Sequence, residues 1–277
     1  PIGDFAVVSA VSQVTTVSVE CFAASATETF YAEIDVTGFD GVRELSSLIS
    51  DVLINLKLTN SKDVIHVYSY LEKDAGQELF YSYTNFTLEN IWAANGSNEI
   101  IQSLFMAFGS GSALGFTPSY SMHPLIAKVT GVSWINGSRR EDFTLDYDSA
   151  LAQIQREKPA LTFITTPNNP TGSTLSLDEI EKLAKATPGL LVIDEAYAEF
   201  SEETSAVTLI KKYPHVVVIR TMSKAFAFAG VRLGYLVADE AVINAMYLVR
   251  LPYHLSALTQ AAGEVALDYQ EELLANV

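Results

Sequence analysis

The chain has 277 residues, 49% hydrophobic and 18% charged, enough to bury a large core or one large domain with part of a second. A formal charge of −16 and a pI near 4.5 exclude non-specific binding to nucleic acid or to an anionic membrane, because the summed field repels polyanions. The single cysteine, Cys21, excludes an internal disulfide and fits a reducing compartment.

Residues 1–37 are rich in Val, Thr, Ser and Ala, with partial alternation at Val14–Val19 and Phe30–Val36, which predicts extended structure. The chain opens on Pro1 rather than methionine, as expected of a processed start or a fragment. It lacks the basic-then-apolar pattern of a signal peptide and any long apolar run, so a cytoplasmic location without membrane contact is expected. From Val42 to Leu56 the apolar residues Val42, Leu45, Leu48, Ile49, Val52, Leu53 and Leu56 keep helical spacing. The stretch from there to Asn90 carries many aromatic residues and no clear period. Residues 1–89 therefore form an unassigned amino-terminal segment.

From Asn90 onward short apolar runs alternate with amphipathic stretches, the pattern of an α/β fold with a mostly parallel sheet and helices on both faces. Strands are predicted at Ile91–Ala94, Ala113–Phe116, Val132–Ile135, Leu161–Thr165, Leu190–Ile193, Val216–Ile219 and Leu233–Ala238. Helices are expected over Glu99–Phe108, from the Ser-Leu-Asp-Glu capping box at Ser176 to Pro188-Gly189, over Glu240–Leu251, and from Ser256 to the end.

Ligands in open α/β sheets bind beyond the carboxyl ends of the strands, and the unusual polar residues fall there. Gly96, Ser97 and Asn98 follow the first strand and Tyr120 the second. Asn169 follows the strand ending at Thr165, Asp194 closes the next, and Lys224 follows Val216–Ile219. The steps from Gly96 through Tyr120, Asn169 and Asp194 to Lys224 are 24, 49, 25 and 30 residues, one βα unit each with two units in the long step.

Each marker has a plainer alternative. Asn95–Asn98 also reads as a turn and cap, Tyr120 as core, Pro167–Gly172 as a tight turn, Asp194 as an N-cap, Arg232 as a structural ion-pair partner and Lys224 as a solvated lysine. Functionally, the amides at 96–98 would cradle a phosphate at a helix mouth. An amine at a strand end, beside the hydroxyls of Thr221 and Ser223 and the guanidinium of Arg232, suits a cofactor carrying an aldehyde and a phosphate. The four histidines, His66, His123, His215 and His254, lack ligand spacing, so no metal site is expected.

Thr221-Met-Ser-Lys-Ala-Phe-Ala-Phe-Ala-Gly-Val-Arg-Leu-Gly-Tyr235 resembles the lysine segment of fold-type-I pyridoxal-phosphate aminotransferases, specifically the histidinol-phosphate aminotransferases of actinobacterial type. Trp92–Glu99, Pro118-Ser119-Tyr120, Asn169-Pro170-Thr171-Gly172, Asp194-Glu195-Ala196-Tyr197 and Arg250–Leu255 extend the resemblance across residues 90–266. It implies an aspartate-aminotransferase-like large domain over 90–255, with 256–277 beginning an incomplete small domain. It also implies pyridoxal phosphate as cofactor, a phosphorylated amino alcohol and a 2-oxo acid as substrates, and a homodimer. The implied reaction is L-histidinol phosphate plus 2-oxoglutarate to imidazole-acetol phosphate plus glutamate.

The resemblance also assigns roles. Lys224 is the amine that joins the cofactor's aldehyde and then moves the proton. Asp194 pairs with the ring nitrogen, Asn169 and Tyr197 hold the ring oxygen, and Tyr120 covers the ring. Gly96, Ser97, Asn98, Thr221, Ser223 and Arg232 anchor the phosphate. Two amino-terminal segments of the family, Asn-Glu-Asn-Pro-Tyr and Arg-Tyr-Pro, have no match; Ile34–Gly38 and Leu58–Asn60 occupy their slots. The family's carboxylate-binding arginine has no match either. Two other readings stay open: an aminotransferase for aromatic amino acids, and a truncated remnant that binds cofactor without turning substrate over.

Overall fold

In a computed structural model the described residues are 16–22, 29–35, 64–66, 88–251, 254–275 and 277. The helix expected over Val42–Leu56 lies outside them. The chain divides into two compact units, Pro1–Ala75 and Gly76–Val277. In the first, β1 (Thr16–Phe22) pairs antiparallel with both β2 (Thr29–Asp35) and β3 (Val64–His66), in the order β2-β1-β3. Both predicted alternating stretches overlap this sheet.

The second unit is built on a seven-stranded sheet. Its strands are β4 (Ile91–Ala94), β5 (Ser112–Thr117), β6 (Ser133–Ser138), β7 (Leu161–Thr165), β8 (Leu190–Asp194), β9 (Val216–Thr221) and β10 (Gly234–Val237), in the order β4-β10-β9-β8-β7-β5-β6. Pairs from β6 through β5, β7 and β8 to β9 are parallel, whereas β10 runs antiparallel to both β9 and β4. The start of β10 thus lies beside the ends of β4 and β9, with Gly234 opposite Ala94 and Thr221.

Seven helices occur among the described residues: α1 (Ser97–Phe108), α2 (Met122–Val129), α3 (Tyr147–Glu157), α4 (Leu177–Ala186), α5 (Glu240–Val249), α6 (Ala257–Asp268) and α7 (Gln270–Leu274). The Ser176–Glu179 capping box opens α4, each side chain satisfying the other's backbone N–H. The expected terminal helix is instead two, α6 and α7, divided at Tyr269.

Strand residues point alternately to two cores, so the β-branched run that would be half polar in a one-sided sheet is apolar throughout. On one face Val216, Val218, Leu191 and Ile193 meet Ile154 of α3, Leu183 of α4 and Leu267 of α6. On the other, Val217, Ile219 and Val192 meet Leu104 and Phe105 of α1, Ala127 of α2 and Met246 of α5. Phe105 is 2% exposed and its ring lies 5.2 Å from Phe163 and 6.4 Å from Trp134. Phe105→Ala leaves a void between α1 and the sheet and is expected to cost about 3 to 5 kcal/mol of stability, read from urea denaturation.

Candidate active site

At the carboxyl edge of this sheet, Ser97, Asn98, Tyr120, Asn169, Asp194, Tyr197, Thr221, Ser223, Lys224 and Arg232 line one cleft of about 170 Å³. Every residue singled out in the sequence is therefore on this rim except Gly96, which adjoins it through Arg232. Thr165, Ala196 and Ala229 complete the lining. The topology explains the convergence: each residue ends a strand of the sheet or follows its carboxyl end within a few residues, and Arg232 sits just before the antiparallel β10.

Asp194 ends β8 and is 2% exposed. Its Oδ1 accepts the Ala196 N–H at 3.1 Å, so it does cap the following turn. Its Oδ2 lies 3.0 Å from Nε2 of His123, a buried ring on α2. A carboxylate can only accept, so Nε2 donates, and both oxygens are held by donors from protein. His123 in turn lies against Phe163, Trp134 and the edge of Tyr120. Sequence reasoning missed this histidine because it was tested only for metal spacing; its position three residues beyond Tyr120 was the usable signal.

Lys224 follows β9 by three residues, and its Nζ stands over the Tyr197 ring at 5.3 Å from the centroid, a cation–π contact. Asn169 Nδ2 donates to the Tyr197 hydroxyl at 3.4 Å. The loop carrying Asn169 is tied to the one carrying Tyr120. Ser119 donates to Asn168 Oδ1 at 2.8 Å, and Asn168 Nδ2 donates to Pro118 O at 3.1 Å and to Thr171 Oγ1 at 2.7 Å. Ser119 Oγ also lies 3.0 Å from Thr165 Oγ1. Tyr120 donates to Asn98 Oδ1 at 3.1 Å, joining the β5 end to the start of α1.

The opposite end of the cleft is built for an anion. Helix α1 starts at Ser97 with Gly96 as its N-cap, and no side chain caps its first amides. Those amides and the helix dipole favour negative charge. Thr221 donates to Ser223 Oγ at 2.9 Å, and Arg232 holds its guanidinium beside Gly96 through a bond from NH1 to Ala229 O at 3.1 Å. Gly96 has φ 79°, and a Cβ there would stand 2.8 Å from Arg232 NH2. A Cβ on Gly234 would meet Ser97 N at 2.7 Å and Gly96 C at 2.9 Å, both backbone. The sheet and the helix mouth thus touch through two glycines. This donor set of amides, hydroxyls and a guanidinium fits a phosphate, while the asparagine, tyrosine and aspartate beyond it fit a polar aromatic ring. Among the described residues no group of three or more His, Cys, Asp or Glu could hold a metal ion.

This fold and site define a class of enzyme that comparison with known proteins resolves further. The chain belongs to the aminotransferase class I and II family, whose model matches residues 55–277. Among curated relatives it is 49% identical over 243 residues to the histidinol-phosphate aminotransferase of Corynebacterium diphtheriae, an alignment covering 85% of this chain and 64% of that protein. It is 57% identical over 194 residues to that of Rhodococcus jostii, covering 69% and 51%. The chain thus spans between about half and two thirds of the length of these relatives. Among solved structures, the histidinol-phosphate aminotransferase of Clostridium acetobutylicum superposes with a TM-score of 0.67 at 26% identity, covering 83% of this chain and 69% of that one. That of Sinorhizobium meliloti, solved with pyridoxal 5'-phosphate, gives 0.68 at 23% identity, covering 83% and 63%.

Gly234→Ala places a methyl group against the backbone at the start of α1. It is expected to cost about 1 to 3 kcal/mol in denaturation and to weaken binding of inorganic phosphate measured by calorimetry. Gly172→Ala, where a Cβ would meet no atom within 4 Å but a φ of 72° strains any side chain, is expected to cost some stability and to leave phosphate binding unchanged.

Proposed function

We propose that the chain is the cofactor-binding part of a pyridoxal-phosphate-dependent aminotransferase acting on L-histidinol phosphate, with 2-oxoglutarate as amino acceptor. The observation that carries this reading is the single cleft in which Lys224, Asp194, Tyr197 and Asn169 face the anion cradle of Ser97, Asn98, Ser223 and Arg232. Solved neighbours of comparable TM-score include a threonine-phosphate decarboxylase at 0.64 and a C-S lyase at 0.67, so the scaffold alone does not select a reaction. Identities of 49 to 57% to histidinol-phosphate aminotransferases support the choice of substrate over aromatic amino acids.

When bound, pyridoxal phosphate supplies an aldehyde for amines and a pyridine ring that accepts the electron pair released as a C–H bond breaks. The chain's own groups do the rest. Lys224 Nζ would hold the aldehyde carbon at rest and, once freed by the substrate's amine, would take the proton from the substrate's Cα and deliver it to that aldehyde-derived carbon. Asp194 would keep a proton on the ring nitrogen, because an opposite charge favours the charged form. His123 and the Ala196 amide hold that carboxylate in place. Asn169 and Tyr197 would donate to the ring oxygen, and Tyr120 would cover the ring. The amides of Ser97 and Asn98, the hydroxyls of Thr221 and Ser223 and the Arg232 guanidinium would bind the phosphate, with Gly96 giving them room. A cytoplasmic homodimer is part of the same proposal, supported by the single cysteine and the family resemblance. Among the described residues no helix is long and apolar enough to cross a membrane.

Borohydride reduction of the cofactor-loaded protein followed by peptide mapping is expected to place the pyridoxyl group on Lys224; a label on another lysine overturns the assignment. Added histidinol phosphate is expected to convert the loaded protein to its pyridoxamine form.

Asp194→Asn is expected to retain the cofactor but to slow that conversion by two to three orders of magnitude, since a preorganised charge commonly contributes about 3 to 4 kcal/mol in the transition state. A single-turnover rate near that of the unaltered chain would reduce Asp194 to a turn cap.

A further inference from the structure

The side chain of Tyr197 is weakly held inside the cleft. Among the described residues it has one long hydrogen bond, from Asn169 at 3.4 Å, a ring contact with Phe200 at 6.2 Å, and the Lys224 ammonium at 5.3 Å. Its backbone, by contrast, is anchored on both sides. Glu195, two residues before it, and Glu199, two residues after it, both reach Arg220 on β9. Arg220 Nε and NH2 each stand 2.8 Å from Glu195 Oε2, and NH1 stands 3.0 Å from Glu199 Oε1. Glu195 is further fixed by the Ala206 N–H on Oε1 and the Ser205 hydroxyl on Oε2, each at 2.7 Å.

We infer that Arg220 is a positioning residue, clasping the segment 195–206 to β9 so that Tyr197 stands against Lys224. The inference rests on the proposed roles of those two residues. Arg220 immediately precedes Thr221 and lies four residues before Lys224, so one side chain couples the strand that carries the lysine to the turn that carries the tyrosine. The clasp is buried: side-chain exposures are 13% for Arg220, 4% for Glu195 and 9% for Glu199. It is therefore unlike an exposed ion pair, which contributes little. Removing the guanidinium would leave two carboxylates facing each other out of water. Burial already raises the Glu199 carboxyl above its usual range, which Arg220 partly offsets. Lysine cannot substitute, because three donors on one flexible ammonium do not reproduce a planar fork spanning two carboxylates.

The test uses the full chain without cofactor, so that it does not depend on where the cofactor binds. Lysines are acetylated competitively with acetic anhydride and each site is quantified by mass spectrometry. Tyr197→Leu removes the ring from Lys224 and sets the scale, expected at about two- to fivefold faster labelling of Lys224 relative to Lys212 and Lys185. Arg220→Met and Arg220→Lys are expected to reproduce that change, while Glu199→Gln, whose amide oxygen still accepts from Arg220 NH1 and which leaves the Glu195 contact in place, stays near the unaltered chain. If Arg220→Met does not fold, the Glu195→Gln/Arg220→Met pair, which leaves no unpaired charge at Glu195, is expected to show the same faster labelling. Unchanged Lys224 labelling in a folded Arg220 variant, or an equal rise at every lysine, overturns the inference. So does equal labelling in the unaltered chain and Tyr197→Leu, whatever borohydride mapping shows about the cofactor.

Discussion

A sheet covered on both faces has nowhere to put a polar side chain except at its ends, and this constraint organises the second unit. In β8 and β9 every interior position but Arg220, next to the end of β9, meets one core or the other, and an unpaired polar group there would lose water on either side. Thr162, inside β7, shows the cost: its hydroxyl is buried and, among the described residues, has no hydrogen-bond partner. The residues of the candidate site instead end their strands or follow within a few residues. Asp194 and Thr221 are each the terminal residue of a strand, with Lys224 three positions further on. The same rule that empties the strands of polar groups gathers them at one rim.

The antiparallel β10 adds a second constraint. Its reversed direction brings Gly234 against the start of α1, so the anion cradle is made where three strand ends and a helix mouth meet. No side chain fits between them. The cradle is therefore mostly backbone, and its charge is supplied from outside by Arg232, which reaches in across Gly96. Electrostatics and shape are assigned to different residues, and each depends on the other's having the right size.

Much of this could be read from residue order alone, because strand ends recur at regular steps and buried parallel strands are unbroken apolar runs. The seven strands of the second unit all fall on predicted stretches, and the Ser176 box marks its helix. Contacts set by side-chain direction could not be read that way. His123 and Asp194 are 71 residues apart and meet only because α2 turns that ring toward β8. Arg220 looked like the polar end of an apolar strand, and only the fold of the segment after Asp194 shows what it grips. The turn cap posed for Asp194 uses only one of its two carboxylate oxygens, and the donor on the other, His123, was not legible in residue order. The break at Tyr269 had no Gly or Pro to announce it.

The segment between β9 and β10 leaves the rim at Thr221 and returns to it at Gly234, and these two residues face each other in the ladder. Inside, Met222 N–H donates to Leu233 O at 3.1 Å, and Met222 and Phe226 are sunk into the core. The loop is thus a closed perimeter with Lys224 near one end and Arg232 near the other. Its length acts as a ruler: an added or deleted residue would shift one cation against the other while the strand pairing held both ends still. Substitution can retune such a loop, but insertion cannot, so the spacing of amine to guanidinium is a more constrained property of this chain than the identity of most residues between them.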